Sequence, residues 1–155
     1  MALNKMKQLD TALTGFQFEG KSSVGRNLKQ VHSVLQFCDG TLMKHMKLEE
    51  QIIFPFLASH VPKLDSVLRI LCSQHEDFRK SLEDLRFFVN LYSSEASKSD
   101  SSRTIHKLRE LGAYLIYLLR HHMQVENESV YQVIDRELRS GERKALEKRR
   151  REYVE

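Results

Sequence analysis

No tryptophan occurs in the 155 residues, and there are only two prolines, six glycines and two cysteines. So few turn-forming residues exclude an all-β fold, which needs punctuation every few residues. Two cysteines, Cys38 and Cys72, make neither a disulfide framework nor a zinc pattern. No run of 18 apolar residues is present, so no membrane-crossing helix is expected, and "MALNKMKQLDTALTG" lacks the apolar core of a signal peptide. A soluble chain in a reducing, cytoplasmic compartment is the expectation. The H-E-x-x-H signature of zinc hydrolases is absent, and none of the seven histidines has a Glu three residues before it, which argues against the E-x-x-H di-iron oxidases. The net charge of +4 is mild and much of it sits in "RSGERKALEKRRREYVE", so it is not a nucleic-acid footprint.

What is present is helical periodicity. Leu3, Met6, Leu9, Leu13 and Phe16 lie at helical spacing and predict a short first helix over Leu3–Phe16. "GFQFEGKSSVG" breaks it, and Ser22 or Ser23 is the expected N-cap of a second helix running to about Leu57, with Pro55 near its end. Pro62 opens a third helix carrying Leu64, Leu68, Leu71, His75, Phe78, Leu82, Leu85 and Val89. "YSSEASKSDSS", Tyr92 to Ser102, reads as a loop. A fourth helix is expected over Arg103–Leu138, and beyond Gly141 a solvated, charged helical extension. The fold class is therefore all-α, an up-down-up-down four-helix bundle over residues 1–140 with a basic C-terminal tail at 141–155.

Two stretches repeat. "LMKHMKLEEQIIFPFL" and "LLRHHMQVENESVYQVI" align so that His122 lies 77 positions after His45 and Glu126 lies 77 positions after Glu49. Both read H-x-x-x-E with an aromatic residue five positions after the Glu. Residues four apart on a helix diverge by about 40°, so each pair stacks on one face. A buried lone carboxylate is costly, and two facing carboxylates repel unless a cation lies between them. His75 sits on the core stripe of the third helix. His45, Glu49, His75, His122 and Glu126 thus form a candidate metal site of mixed nitrogen and oxygen ligands, a set suited to iron, manganese or zinc. The competing reading of a single H-x-x-x-E pair is an ordinary surface helix; the repeat and His75 favour the metal. Cys38 and Cys72 could approach the site as redox groups or be small core residues, and Tyr114, Tyr117 and Tyr131 could offer a hydroxyl or simply pack.

"HMKLEEQIIFPFL", "QHEDF" and "HMQVENESVY" resemble the hemerythrin-like (HHE cation-binding) family over about residues 22–138. The resemblance implies a helical bundle holding a non-heme di-iron centre, with His45, His75 and His122 as terminal ligands and Glu49 and Glu126 bridging two Fe ions. It implies binding of O2, sensing of oxygen, redox or iron state, handling of NO or assistance in iron–sulfur repair, and the motif does not choose among them; an enzyme such as a di-iron oxidase is the less expected alternative. Two departures stand out. The family offers a histidine from the first helix, whereas no histidine here precedes His32, which could serve only if "CDGT" split the second helix. Gln8, Asp10, Gln17 and Glu19 are the first-helix substitutes. Arg79 stands four residues after His75, where oxygen carriers place another histidine. A mononuclear site, a Mn- or Zn-loaded site, or a decayed site in a structural or signalling bundle stays open on this count. No nucleic-acid or membrane partner is expected; a homodimer, or a protein partner on the basic tail, is compatible with the sequence.

Overall fold

The computed structural model describes residues 1–95 and 101–154; among these nearly all are helical, with short breaks at residues 19–20, Val61 and residues 138–139, and there is no strand. Helix α1 spans Ala2–Phe18. A 3-10 turn at Lys21–Ser23 leads into a long rod: α2 (Val24–Phe37), α3 (Met43–Leu48) and α4 (Phe54–His60), joined by wide π-helical turns at Cys38–Leu42 and Glu49–Ile53. Pro62 opens a 3-10 turn at Pro62–Leu64 before α5 (Asp65–Glu95). Helix α6 (Ser102–Val125) continues through a third wide turn, Glu126–Tyr131, into α7 (Gln132–Glu137), and α8 spans Ser140–Val154.

The expected helices are all present, with differences that have physical causes. The rod continues past Pro55 to His60, because the wide turn before Pro55 already departs from the i to i−4 pattern that proline cannot join. Ser23 stands at the N-cap position but makes no side-chain cap; the Lys21–Ser23 turn starts the helix instead. The predicted Tyr92–Ser102 loop is shorter at both ends, since α5 runs through Glu95 and α6 begins at Ser102; residues 96–100 lie outside the described residues.

Helix α1 packs on α2 and α6. Two glycines allow the approach: a Cβ at Gly15 would lie 2.5 Å from Asn27 Nδ2, and one at Gly112 would lie 2.4 Å from Leu13 Cδ1. The apolar interior falls into two clusters. One joins Met6, Leu9, Leu13 and Phe16 of α1 to Val31, Leu35, Leu85, Leu108 and Leu115. The other joins Phe54, Phe56, Leu57, Leu64, Leu68 and Leu71 to Val130, Leu138 and Leu146. Helix α1 reaches only the first. The second is closed by α8, which is largely exposed, as its composition suggests, yet docked: Leu146 is buried, the Arg149 guanidinium lies 5.2 Å over the Phe56 ring, and Arg143 donates to the Leu138 carbonyl at 3.1 Å. A polar layer separates the two clusters, and it contains the candidate site.

Candidate metal centre

Three helical segments bring one or two ligand-type side chains each. In the rod, the wide turn begins at Glu49; in α6, the wide turn begins at Glu126. The two halves of the sequence repeat thus share a backbone irregularity as well as residue types, and such turns gather at functional positions because they re-aim side chains. His75 projects from unbroken α5, between Leu71 of one core cluster and Phe78 of the other.

All five sequence-predicted residues meet here. Glu49, His75, His122 and Glu126 are buried, whereas the His45 side chain is 49% exposed. His45 Nε2 lies 2.6 Å from Glu49 Oε1, and His75 Nε2 lies 3.0 Å from Glu49 Oε2. His122 Nε2 lies 3.2 Å from Glu126 Oε1 and 3.9 Å from Glu49 Oε2. Ligand atoms of Glu49, His75 and His122 fall within 4.8 Å of one another, and so do those of His45, Glu49 and Glu126. Glu49 is common to both groups.

The tautomers follow from the outer contacts. His75 Nδ1 donates to Glu50 Oε1 at 2.7 Å, and Arg79 holds both Glu50 oxygens at 2.8 and 3.0 Å. His122 Nδ1 donates to Gln74 Oε1 at 2.9 Å, while the Gln74 amide donates to His121 Nδ1 at 3.0 Å. Each neutral ring therefore presents a bare Nε2, and these two atoms face each other at 3.1 Å. Two lone pairs at that distance require a positive charge between or beside them. Both Glu49 oxygens and Glu126 Oε1 are likewise buried without an aligned hydrogen-bond donor. Carboxylate oxygens and imidazole nitrogens converging in this way fit a cation with nitrogen and oxygen preferences.

Without a cation, protons carry the charge. Burial opposes a charged His122, but Glu126 and Glu49 outweigh it and push its pKa up to about 9. The close approach of the Glu49 carboxylate, 2.6 Å from its Nε2, raises His45 in the same way. Burial would raise Glu49, yet the three imidazoles hold its carboxyl below the usual carboxylate range. Glu126 is raised, by burial first and then by its approach to Glu49.

A cavity of about 190 Å³ borders the site, lined among others by Ala2, Met46, His45, Met123, Asn127 and Tyr131. Tyr131 is the tyrosine that reaches it; its hydroxyl pKa is pushed up to about 12 by burial and by Glu126 and Glu49. Tyr114 and Tyr117 are exposed, the latter stacked on His121. Ala2 is the α1 residue in the cavity wall, and none of the first-helix substitutes enters the site: Gln8 pairs with Gln30, Gln17 with Arg109, Glu19 with Arg26, and Asp10 is exposed. The wide turn at Cys38–Leu42 does not split the rod, and exposed His32 lines a surface groove with Lys29 and Arg86. Cys38 is buried in the α1-side core with its thiol pushed up to about 12 by burial, and burial also raises Cys72, so neither is a ready thiolate.

Sequence reasoning missed Glu50 and Gln74, and saw Arg79 only as a missing ligand. Their signal was local, "LEEQ" and "SQHEDFR", but which carboxylate faces which ring depends on the packing of the rod against α5.

A comparison with curated proteins gives no match. Residues 2–98, more than half of the chain, match the hemerythrin HHE cation-binding domain. That segment contains His45, Glu49 and His75; the placement of His122 and Glu126 comes from the fold. The family implies binding of metal ions such as iron, and the histidine and glutamate groups described above are candidate ligands for them. The chain belongs to the hemerythrin HHE cation-binding domain family.

Proposed function

We propose that this chain is a hemerythrin-like bundle of up-down-up-down topology whose polar layer holds a non-heme di-iron centre, with His45, Glu49, His75, His122 and Glu126 as ligands. The observation that carries the reading is the pair of Nε2 atoms facing each other at 3.1 Å, beside three buried carboxylate oxygens without aligned donors. Glu49 belongs to both ligand groups and would serve both ions. Bound iron supplies a redox-active Lewis acid. The protein's own residues hold it, keep the imidazoles in the Nδ1–H form through Glu50 and Gln74, and leave a small cavity on the His45 side. That cavity, with Ala2 where a first-helix ligand would reduce its volume, suits a small ligand. Binding or sensing of O2, NO, or redox or iron state is the function that fits, in a soluble, cytoplasmic setting. A mononuclear or decayed site in a signalling bundle is the second reading, favoured by Arg79 and by the absence of an α1 ligand.

Metal analysis of anaerobically purified chain, with a spectrum before and after air, tests the proposal. About two irons per chain and near-ultraviolet charge-transfer absorption are expected for two carboxylate-bridged ions. A chain that carries no metal after expression in iron-replete medium refutes it.

A further inference from the structure

The two ligand groups share their carboxylates but not their histidines. Glu49 serves both, and Glu126 faces both, since its Oε1 lies 3.2 Å from His122 Nε2 and it also belongs with His45. Carboxylate charge therefore does not distinguish the two positions. The imidazoles do. The group of Glu49, His75 and His122 offers two nitrogens from buried rings. Each ring is locked from behind, His75 by the Arg79–Glu50 pair and His122 by Gln74. Less rotamer freedom remains to be lost there on binding an ion than at a ring without such a contact. The other group relies on a single nitrogen, from a ring half in solvent. Among the described residues no carboxylate, amide or carbonyl is hydrogen-bonded to His45 Nδ1. To bind an ion this ring must give up water and freedom.

From this asymmetry we propose that the two cation positions fill in order: first the buried position of Glu49, His75 and His122, and then, more weakly, the cavity-side position of His45, Glu49 and Glu126. The inference rests on the metal-centre reading and deepens it. Arg79 has a part in the order. Standing where a further histidine would be, it brings no nitrogen, but through Glu50 it fixes His75 for the first ion. The second ion meets a Glu49 already neutralised by the first and a like charge next to it, which widens the gap between the two affinities. Over a range of free metal the chain is then mononuclear, with the cavity-side position open, and two ions are bound only above it.

Titration of Mn(II) into the metal-free full chain, followed by electron paramagnetic resonance, separates the outcomes. One equivalent should give the spectrum of an isolated ion, and a second, binding at least about tenfold more weakly, should replace it with the broadened spectrum of a coupled pair. His45→Ala, a half-exposed position whose loss leaves the core intact, should keep the first ion with its affinity within about twofold and never show the coupled spectrum. A coupled spectrum from the first addition, or loss of the first ion in His45→Ala, overturns the order while leaving the metal centre standing. No binding of any ion by the unaltered chain overturns the metal centre itself and the order with it.

Discussion

Replacing Glu50 tests how far the site depends on what stands behind its ligands. Glu50 is not among the five ligand candidates, and its side chain and that of Arg79 are each 25% exposed. Their ion pair alone is therefore worth at most about 1 kcal/mol. What Glu50→Ala removes from the interior is the acceptor for His75 Nδ1, on a ring with no solvent exposure. A buried donor left without a partner costs about 1–3 kcal/mol, and the ring becomes free to turn or to shift its proton to Nε2, the atom needed for metal. Loss of such an outer partner weakens metal binding by about 10–100-fold, which is about 1.4–2.8 kcal/mol. Glu50→Gln keeps an oxygen acceptor and loses the charge, so it should fall between the native chain and Glu50→Ala. Arg79→Ala leaves the Glu50–His75 bond in place and should weaken binding by less than about tenfold. Competition against a chromophoric chelator measures all three, with a thermal melt of each metal-free variant as the control for folding. If Glu50→Ala binds metal within about twofold of the native chain, the account of His75 orientation is wrong.

The pH dependence of stability should change sign with metal. In the metal-free chain His122 is held near 9, above its unfolded value of about 6.5, so its stabilisation is complete below about pH 6.5 and is lost as pH rises through 9, a span worth about 3 kcal/mol. With metal bound the ligands must be deprotonated, so stability should rise over the same interval; urea unfolding at pH 6, 8 and 9.5, with chelator and with Fe(II) under anaerobic conditions, checks this, and parallel curves would refute it. Gly15→Ala should destabilise by about 1–3 kcal/mol, because the added methyl meets Asn27 Nδ2 at 2.5 Å and Asn27 is itself buried; a melting temperature unchanged from the native chain would show that α1 and α2 can move apart freely.

The convergence of these residues was legible because a repeat at fixed offset carries information that a lone motif does not: His45 with Glu49 and His122 with Glu126 identified each other. His75 was legible because it interrupts an apolar stripe with a polar residue. The all-helical class was legible from spacing alone. The exposure of His45 was not, since helical periodicity places it with Glu49 and says nothing of whether a neighbouring helix covers it; the ring is half exposed at the cavity that Ala2 of α1 also lines. Docking of α8 was hidden for a different reason. A helix with one buried leucine among many charges has no stripe to read, and Leu146 and Arg149 find their partners only after the rod and α7 are in place. The wide turns were invisible because they change which backbone groups pair, not which side chains repeat.

Those wide turns bear on how the chain tolerates changes in length. A π-helical turn holds one residue more than the α-helical turn it replaces, so it is a store of slack in the screw of the helix. The rod holds such slack at Cys38–Leu42 and Glu49–Ile53, and α6 to α7 at Glu126–Tyr131, whereas α5 is unbroken from Asp65 to Glu95. Deleting one residue from Glu49–Ile53 other than Glu49 would convert the turn to regular helix and keep Phe54, Phe56 and Leu57 in phase with the segment before it. The fold would survive and only the aim of the carboxylate would change. The same deletion in α5 next to His75 has no slack to draw on, and would turn every following core residue by about 100°. Single-residue length changes should therefore be borne by the helices that carry the glutamates and rejected by the helix that carries only a histidine.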